Sequence, residues 1–170
     1  MRPSDLPDVL EIQAACYTEV VPESMASLHA KLSAFPSTCF VASLHGKTVA
    51  YLFALLWDCS NPPILNAETC DPKGPPNGLY LHDLAVGPTA RHTGAGRALV
   101  EVFLEVFEAS GLKQASLIAV QNSEGYWRRY GFRAQSPCAR LLEKLATYGP
   151  DVKYMMRLAG ATPPDEMALR

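Results

Sequence analysis

Residues 90–97 read Ala-Arg-His-Thr-Gly-Ala-Gly-Arg and stand directly before the most periodic apolar run of the chain. The chemistry such a stretch offers is anion binding. The first N–H groups of a helix lack internal partners, and the helix dipole places about half a positive charge there. Gly94 and Gly96 let the backbone approach a ligand without Cβ clashes, and Arg91 and Arg97 add charge. Two familiar phosphate patterns fail on it. Arg97-Ala98 stands where a Walker loop needs Lys-Ser or Lys-Thr, and Leu99 stands where the dinucleotide pattern needs its third glycine. Taken alone, the stretch reads equally well as a plain strand-to-helix turn. His82 is the other group of interest, because imidazole exchanges protons near neutral pH. Taken alone, it reads as a satisfied core histidine.

The surrounding elements are legible from period and punctuation. Ser4 or Asp5 caps a helix through residues 6–16, and residues 23–35 give a second with an inner stripe of Met25, Leu28, Leu32 and Phe35, stopped by Pro36. Residues 38–43 and 48–57 read as a hairpin across "LHGK", its second strand apolar enough to be buried on both faces. Residues 58–78 carry five prolines and no period, so they form a long loop of the functional or mobile kind. Strands follow at 79–86 and 114–120, around a helix at 95–110 with Leu99, Val102, Phe103 and Val106 inward and Gly111 at its end. A short helix at 123–130, a strand opening at 132–134, a helical turn at 139–146 and a strand at 152–158 complete the domain. Residues 159–170 read as a disordered tail. The order gives a mixed α/β sheet with one βαβ crossover, in a single domain over 1–158.

Composition narrows the function. At 170 residues with a net charge of −2, the chain carries no basic field for nucleic acid. Five cysteines without a CxxC pair and four scattered histidines suggest neither a disulfide framework nor a metal site. The start, "MRPSDLPDVL", is no signal peptide, and the apolar run 48–57 is too short to span a bilayer. The expectation is a soluble cytoplasmic protein without membrane or nucleic-acid partners.

Arg91-x-x-Gly94-x-Gly96 has the form of the Q/R-x-x-G-x-G/A signature of the GNAT superfamily of N-acetyltransferases. "DLAV" (83–86) before it resembles that family's fourth strand, and "YWRRYGF" (126–132) after it resembles its F-Y-x-K-x-G-F segment. The resemblance runs in order from about residue 2 to 158. A narrower likeness is to arylalkylamine N-acetyltransferases, whose third strand ends L-W-D and whose fourth reads H-x-H-x-L-A-V. Here "LLWD" (55–58) matches, Tyr80 takes the first histidine position and His82 the second.

The resemblance implies a mixed, mostly antiparallel twisted sheet, splayed between the family's fourth and fifth strands and flanked by helices. It implies acetyl-CoA in that splay, without a metal. The pyrophosphate is expected on the backbone of His92, Thr93, Gly94, Ala95, Gly96 and Arg97, with Arg91 beside it. The pantetheine arm is expected along Leu84, Ala85 and Val86, with Asn122 and Trp127 in contact. His82 becomes the expected base, Tyr80 a residue that orients a water, the N–H near Leu84 an oxyanion donor, and Asp83 a structural group and reserve base that faces away from His82 in a regular strand. Trp127 occupies the place of the tyrosine that normally protonates the leaving thiolate, and an indole is far too weak an acid. Tyr126 and Tyr130 are the weak substitutes. Arg128, Arg129 and Arg133 read as a solvated face, or alternatively as contacts to a 3′-phosphate. The family's first strand is nearly missing, since only Met1 and Arg2 precede the first helix.

The acceptor side is expected in residues 17–24 and the loop 58–78. Tyr17, Val20, Val21, Pro22, Trp57, Pro62, Pro63 and Leu65 suggest a small aromatic or apolar primary amine, with Glu19 and Glu23 available to an ammonium. Two alternatives are a peptide or protein N-acetyltransferase and a non-catalytic acyl-CoA-binding module. Homodimers are common in this family.

Overall fold

The computed structural model describes residues 1–17, 21–137, 139–148 and 152–161. Glu19 and Val20, expected on the acceptor side, and most of the predicted tail, 162–170, lie outside the described residues.

Helices α1 (Leu6–Cys16) and α2 (Met25–Ala34) come first. Strands β1 (Cys39–Leu44), β2 (Lys47–Trp57) and β3 (Gly78–Val86) follow. Then come α3 (Ala95–Ala109), β4 (Gln114–Ala119), α4 (Glu124–Arg128), β5 (Arg133–Ala134), α5 (Ala139–Leu145) and β6 (Lys153–Leu158). The strands form one sheet of six in the order β1-β2-β3-β4-β6-β5. Only the β3–β4 pair is parallel, which α3 makes possible as the crossover. The turn between β1 and β2 is His45-Gly46, both at positive φ, which suits a two-residue hairpin.

Residues 50–55 of β2 are fully buried, as its apolar run predicts. Ala50, Leu52 and Ala54 pack toward Leu99, Val100, Phe103 and Phe107 of α3. Tyr51 and Phe53 pack toward Leu6, Val9 and Ile12 of α1 and Leu28 and Leu32 of α2. Two helical faces differ from the expected stripes. Val102 is 37% exposed because the inner face of α3 runs through Leu99, Phe103 and Phe107 at four-residue steps. Met25 is 40% exposed, and its place inside is taken by Ser27 and the buried Lys31. α2 starts two residues later than its pattern suggests, because Ser24 caps it through the Ser27 amide. That leaves Glu23 outside the helix, where it is buried. Residues 1–2 form no strand; the Met1 ammonium donates to Cys39 O at the start of β1.

Candidate active site

Pairing between β3 and β4 is short: Leu79 with Ala115, Tyr80 with Ser116 and Leu81 with Leu117. Beyond Leu81, β3 continues to Val86 without β4 beside it. The two strands therefore diverge, and a cavity of ≈ 320 Å³ opens between them. Leu84, Ala85 and Val86 form one wall, and Ile118, Val120 and Gln121 the other. A sheet edge turned into a cavity presents free backbone donors and acceptors, the arrangement to which an extended ligand adds as a strand.

The loop singled out above runs from Arg91, which lines the cavity, into α3; residues 92–97, the expected pyrophosphate cradle, lie outside the cavity wall. His92 and Gly94 take positive φ, at 69° and 90°, so the chain turns sharply into α3. Thr93 N donates to Ala90 O, and Ala95 N to the Thr93 hydroxyl. Four amides of the expected six-residue cradle remain available, those of His92, Gly94, Gly96 and Arg97, none with a hydrogen-bond acceptor among the described residues. Gly96 is required for packing: a Cβ there would sit 2.9 Å from Val86 Cγ2. Arg91 lines the cavity, whereas Arg97 turns to Glu101 at 2.7 Å on the exposed face of α3.

The centre of the cavity is shaped by a bulge. Phe53 of β2 pairs with Asp83, and Ala54 with Leu81, which leaves His82 as an extra residue in β3. Leu79 and Leu81 face α3 before the bulge, and Leu84 and Val86 after it. The expectation that Asp83 faces away from His82 assumed a regular strand and is corrected here. Both turn to the α1–α2 side, His82 to Glu23 and Asp83 to Tyr17.

The His82 side chain is 2% exposed, with Nε2 2.9 Å from Glu23 Oε2. Its Nδ1 is buried and has no hydrogen-bond partner among the described residues. Glu23 Oε1 receives Lys31 Nζ at 2.9 Å, the Asn66 amide at 2.7 Å and the Ser27 hydroxyl at 3.2 Å. Glu23 is thus consumed by internal partners rather than left for a substrate ammonium. Burial alone raises the pKa of Glu23, but His82 and Lys31 outweigh it and hold the carboxyl down to about 2. A carboxylate depressed in the folded state contributes stability above its ordinary value and loses it as pH falls through the folded value. The drop from 4.5 to about 2 is worth on the order of 3 kcal/mol. Urea stability of the wild type is therefore expected to fall between about pH 5 and about pH 2. Glu23→Gln should show a flatter profile over the same range; parallel profiles would exclude Glu23 as the source.

Asp83 accepts hydrogen bonds from the hydroxyls of Tyr17 and Tyr51, the latter at 2.7 Å. Burial raises its pKa, and the two phenols oppose the rise without cancelling it. Both of its oxygens are engaged, which suits a structural group.

A family model for acetyltransferase (GNAT) proteins matches residues 6–132. The chain belongs to the acetyltransferase (GNAT) family. No curated protein matches it by sequence. Solved structures share the fold of this acetyltransferase at low identity. Ard1 from Thermoplasma volcanium is 16% identical, covers 94% of both chains and superposes with a TM-score of 0.69. The GphF GNAT-like decarboxylase, solved with isobutyryl-CoA, is 19% identical over 93% of this chain and 96% of its own, with a TM-score of 0.69. The ribosomal-protein-S18-alanine N-acetyltransferase from Escherichia coli is 17% identical over 97% of this chain and 94% of its own, at a TM-score of 0.61.

Several expected site residues of this GNAT chain lie elsewhere than expected. Tyr80 is 1% exposed and stands behind His82, ring centroids 6.0 Å apart, outside the cavity wall. Trp127 lines the cavity and packs edge-on against Tyr126 and Phe132. Tyr126 is also in the wall, its hydroxyl near Gly96, and burial pushes its pKa up, which makes it a poorer acid. Tyr130 is outside the wall and meets Tyr126 hydroxyl to hydroxyl at 3.4 Å. Gln121 and not Asn122 lines the cavity; both adopt positive φ at the end of β4, and Gln121 Nε2 reaches across to Cys16 O at 3.3 Å. Tyr17, Val21 and Leu65 line the acceptor side, while Trp57 and Pro62 do not. The Trp57 indole donates to Asn61 O instead, within its own loop. Arg128 pairs with Glu124, and Arg129 lies over the Tyr126 ring at 5.0 Å. Gln13, Cys16 and Tyr148 are wall residues without a sequence signal. Among the described residues, no group of three His, Cys, Asp or Glu is placed to hold a metal, and no helix is long and apolar enough to cross a membrane.

Proposed function

We propose that this GNAT chain transfers an acetyl group from acetyl-CoA directly to a small primary amine with an apolar or aromatic body. The observation that carries this reading is the buried, unpartnered Nδ1 of His82, a residue that lines the cavity where β3 and β4 diverge. In this reading the pyrophosphate takes the free amides of His92, Gly94, Gly96 and Arg97, and the pantetheine arm pairs along Leu84–Val86. An alkylammonium has a pKa near 10.4, so at pH 7 only roughly one molecule in a thousand is nucleophilic. His82 Nδ1 takes the proton as the amine nitrogen bonds to the thioester carbonyl carbon. The oxyanion meets the backbone N–H near Leu84. The C–S bond then breaks, and the thiolate of coenzyme A, of pKa about 8.5, leaves without needing a tyrosine acid.

Two carboxyl groups in the wall, Glu23 and Asp83, shape the choice of acceptor. Arg91, the one cation among the described wall residues, stands by Cys16 rather than at the His82 end. Lys31 and Glu23 already form a closed pair, so an α-carboxylate on the acceptor would lie against the Asp83 carboxyl with no free cation among the described wall residues at that end to receive it. In an assay of coenzyme A release, 2-phenylethylamine is expected to exceed phenylalanine at least about a hundredfold in kcat/KM, roughly 3 kcal/mol of discrimination. Equal rates would contradict this assignment of the acceptor pocket. A second reading, acetylation of a protein N-terminus, is favoured by the likeness to the S18-alanine enzyme and by Val21, which is 79% exposed in the acceptor wall. Peptides with free N-termini in the same assay test it.

A further inference from the structure

We propose that Glu23 is a positioning residue for His82: its carboxylate fixes the imidazole with the proton on Nε2, so that Nδ1 is left as the acceptor. An ionised carboxylate can only accept hydrogen bonds, so the 2.9 Å contact to Oε2 requires a proton on Nε2. In the neutral ring, the lone pair is then on Nδ1, the buried atom with no partner among the described residues. A third group that orients the base is the general logic of activated nucleophiles.

Glu23 is itself immobilised from four directions. Lys31 and Ser27 of α2 donate to Oε1, and Gln13 Nε2 of α1 donates to Glu23 O at 2.9 Å. The long loop supplies Asn66, whose amide donates to Oε1 while its side-chain oxygen accepts from Ser24 N at 2.7 Å. Asn66 holds a φ of 55° to do so. The loop 58–78 is therefore fastened to the same carboxylate that aims the imidazole. The other titratable groups around His82 are Asp83 and Tyr17 on its α1 side and Tyr80 and Tyr148 behind and beside it.

The tautomer stands apart from the acetyltransferase reading, and the catalytic consequence rests on it. The test is long-range ¹H–¹⁵N correlation on ¹⁵N-histidine-labelled protein, with His82 assigned by its loss in His82→Asn. Wild type is expected to show one His82 tautomer, protonated at Nε2. Glu23→Gln, whose carboxamide oxygen still accepts, should keep it. Glu23→Leu/Lys31→Met removes the acceptor and the ammonium that would be stranded with it, and should give a mixture. An apolar replacement of a buried ion pair is compatible with folding. In the same double variant, kcat for amine acetylation should fall at least about tenfold with the KM for acetyl-CoA unchanged. A wild-type ring protonated at Nδ1, or an unchanged tautomer in the double variant, overturns the proposal. Inactivity of the wild type on every amine, with the tautomer as expected, would sink the acetyltransferase reading and leave this one standing.

Discussion

Gly94→Glu is expected to abolish acetyl-CoA binding, read as the loss of thermal stabilisation at concentrations that saturate the wild type. Gly94 sits at φ 90° and ψ −3°, immediately before α3. No heavy atom stands within 4 Å of a Cβ there, so the strain is dihedral and not steric. A left-handed L-residue costs roughly 1–2 kcal/mol, which the fold can absorb. The carboxylate is the larger effect. It brings a negative charge to the free amides of His92, Gly94, Gly96 and Arg97, where it competes with the pyrophosphate. Losing two charge-assisted hydrogen bonds removes about 3–6 kcal/mol, a fall in affinity of at least about a hundredfold. Gly94→Ala carries the strain without the charge and should bind within about tenfold of wild type. A folded Gly94→Glu protein with wild-type affinity would remove the loop from the binding site.

His82→Ala is expected to lower kcat about 10²- to 10⁴-fold, the usual contribution of a positioned base. Acetyl-CoA affinity should not change, because His82 stands at the bulge and not in the amide cradle. Glu23 retains Lys31, Ser27 and Asn66 in the variant, so its charge is not stranded. The combination that matters is preserved thermal stabilisation by acetyl-CoA with lost turnover. If kcat is unchanged, the proton leaves by another group, and Asp83 becomes the first candidate despite its two tyrosine partners.

Local signals accounted for the parts of this site that are local. Glycines before an amphipathic run marked the turn into α3, and the apolar run of β2 marked a strand buried on both faces. The divergence of β3 and β4 followed from family resemblance, since no residue in either strand announces where pairing stops. The bulge at His82 had no glycine or proline to signal it, so the alternation rule misplaced Asp83. Glu23 was legible as an acid in the right segment, yet its partner lies 59 residues away in sequence. Only the tertiary structure brings its carboxylate to the His82 imidazole. Lys31, whose burial no sequence feature marks, is 1% exposed. Tyr148 reaches the cavity from the segment that follows α5, beyond the reach of any short-range pattern. The Arg97–Glu101 pair, by contrast, has the spacing of a helical ion pair and could have been read in advance.

The most direct test is the release of coenzyme A from acetyl-CoA with and without 2-phenylethylamine, with mass spectrometry of the amine. The proposed function predicts release that depends on the amine and matches the N-acetylated product mole for mole. Saturable acetyl-CoA binding with no release on 2-phenylethylamine, other small amines or peptide N-termini would contradict it and make the chain an acyl-CoA-binding module.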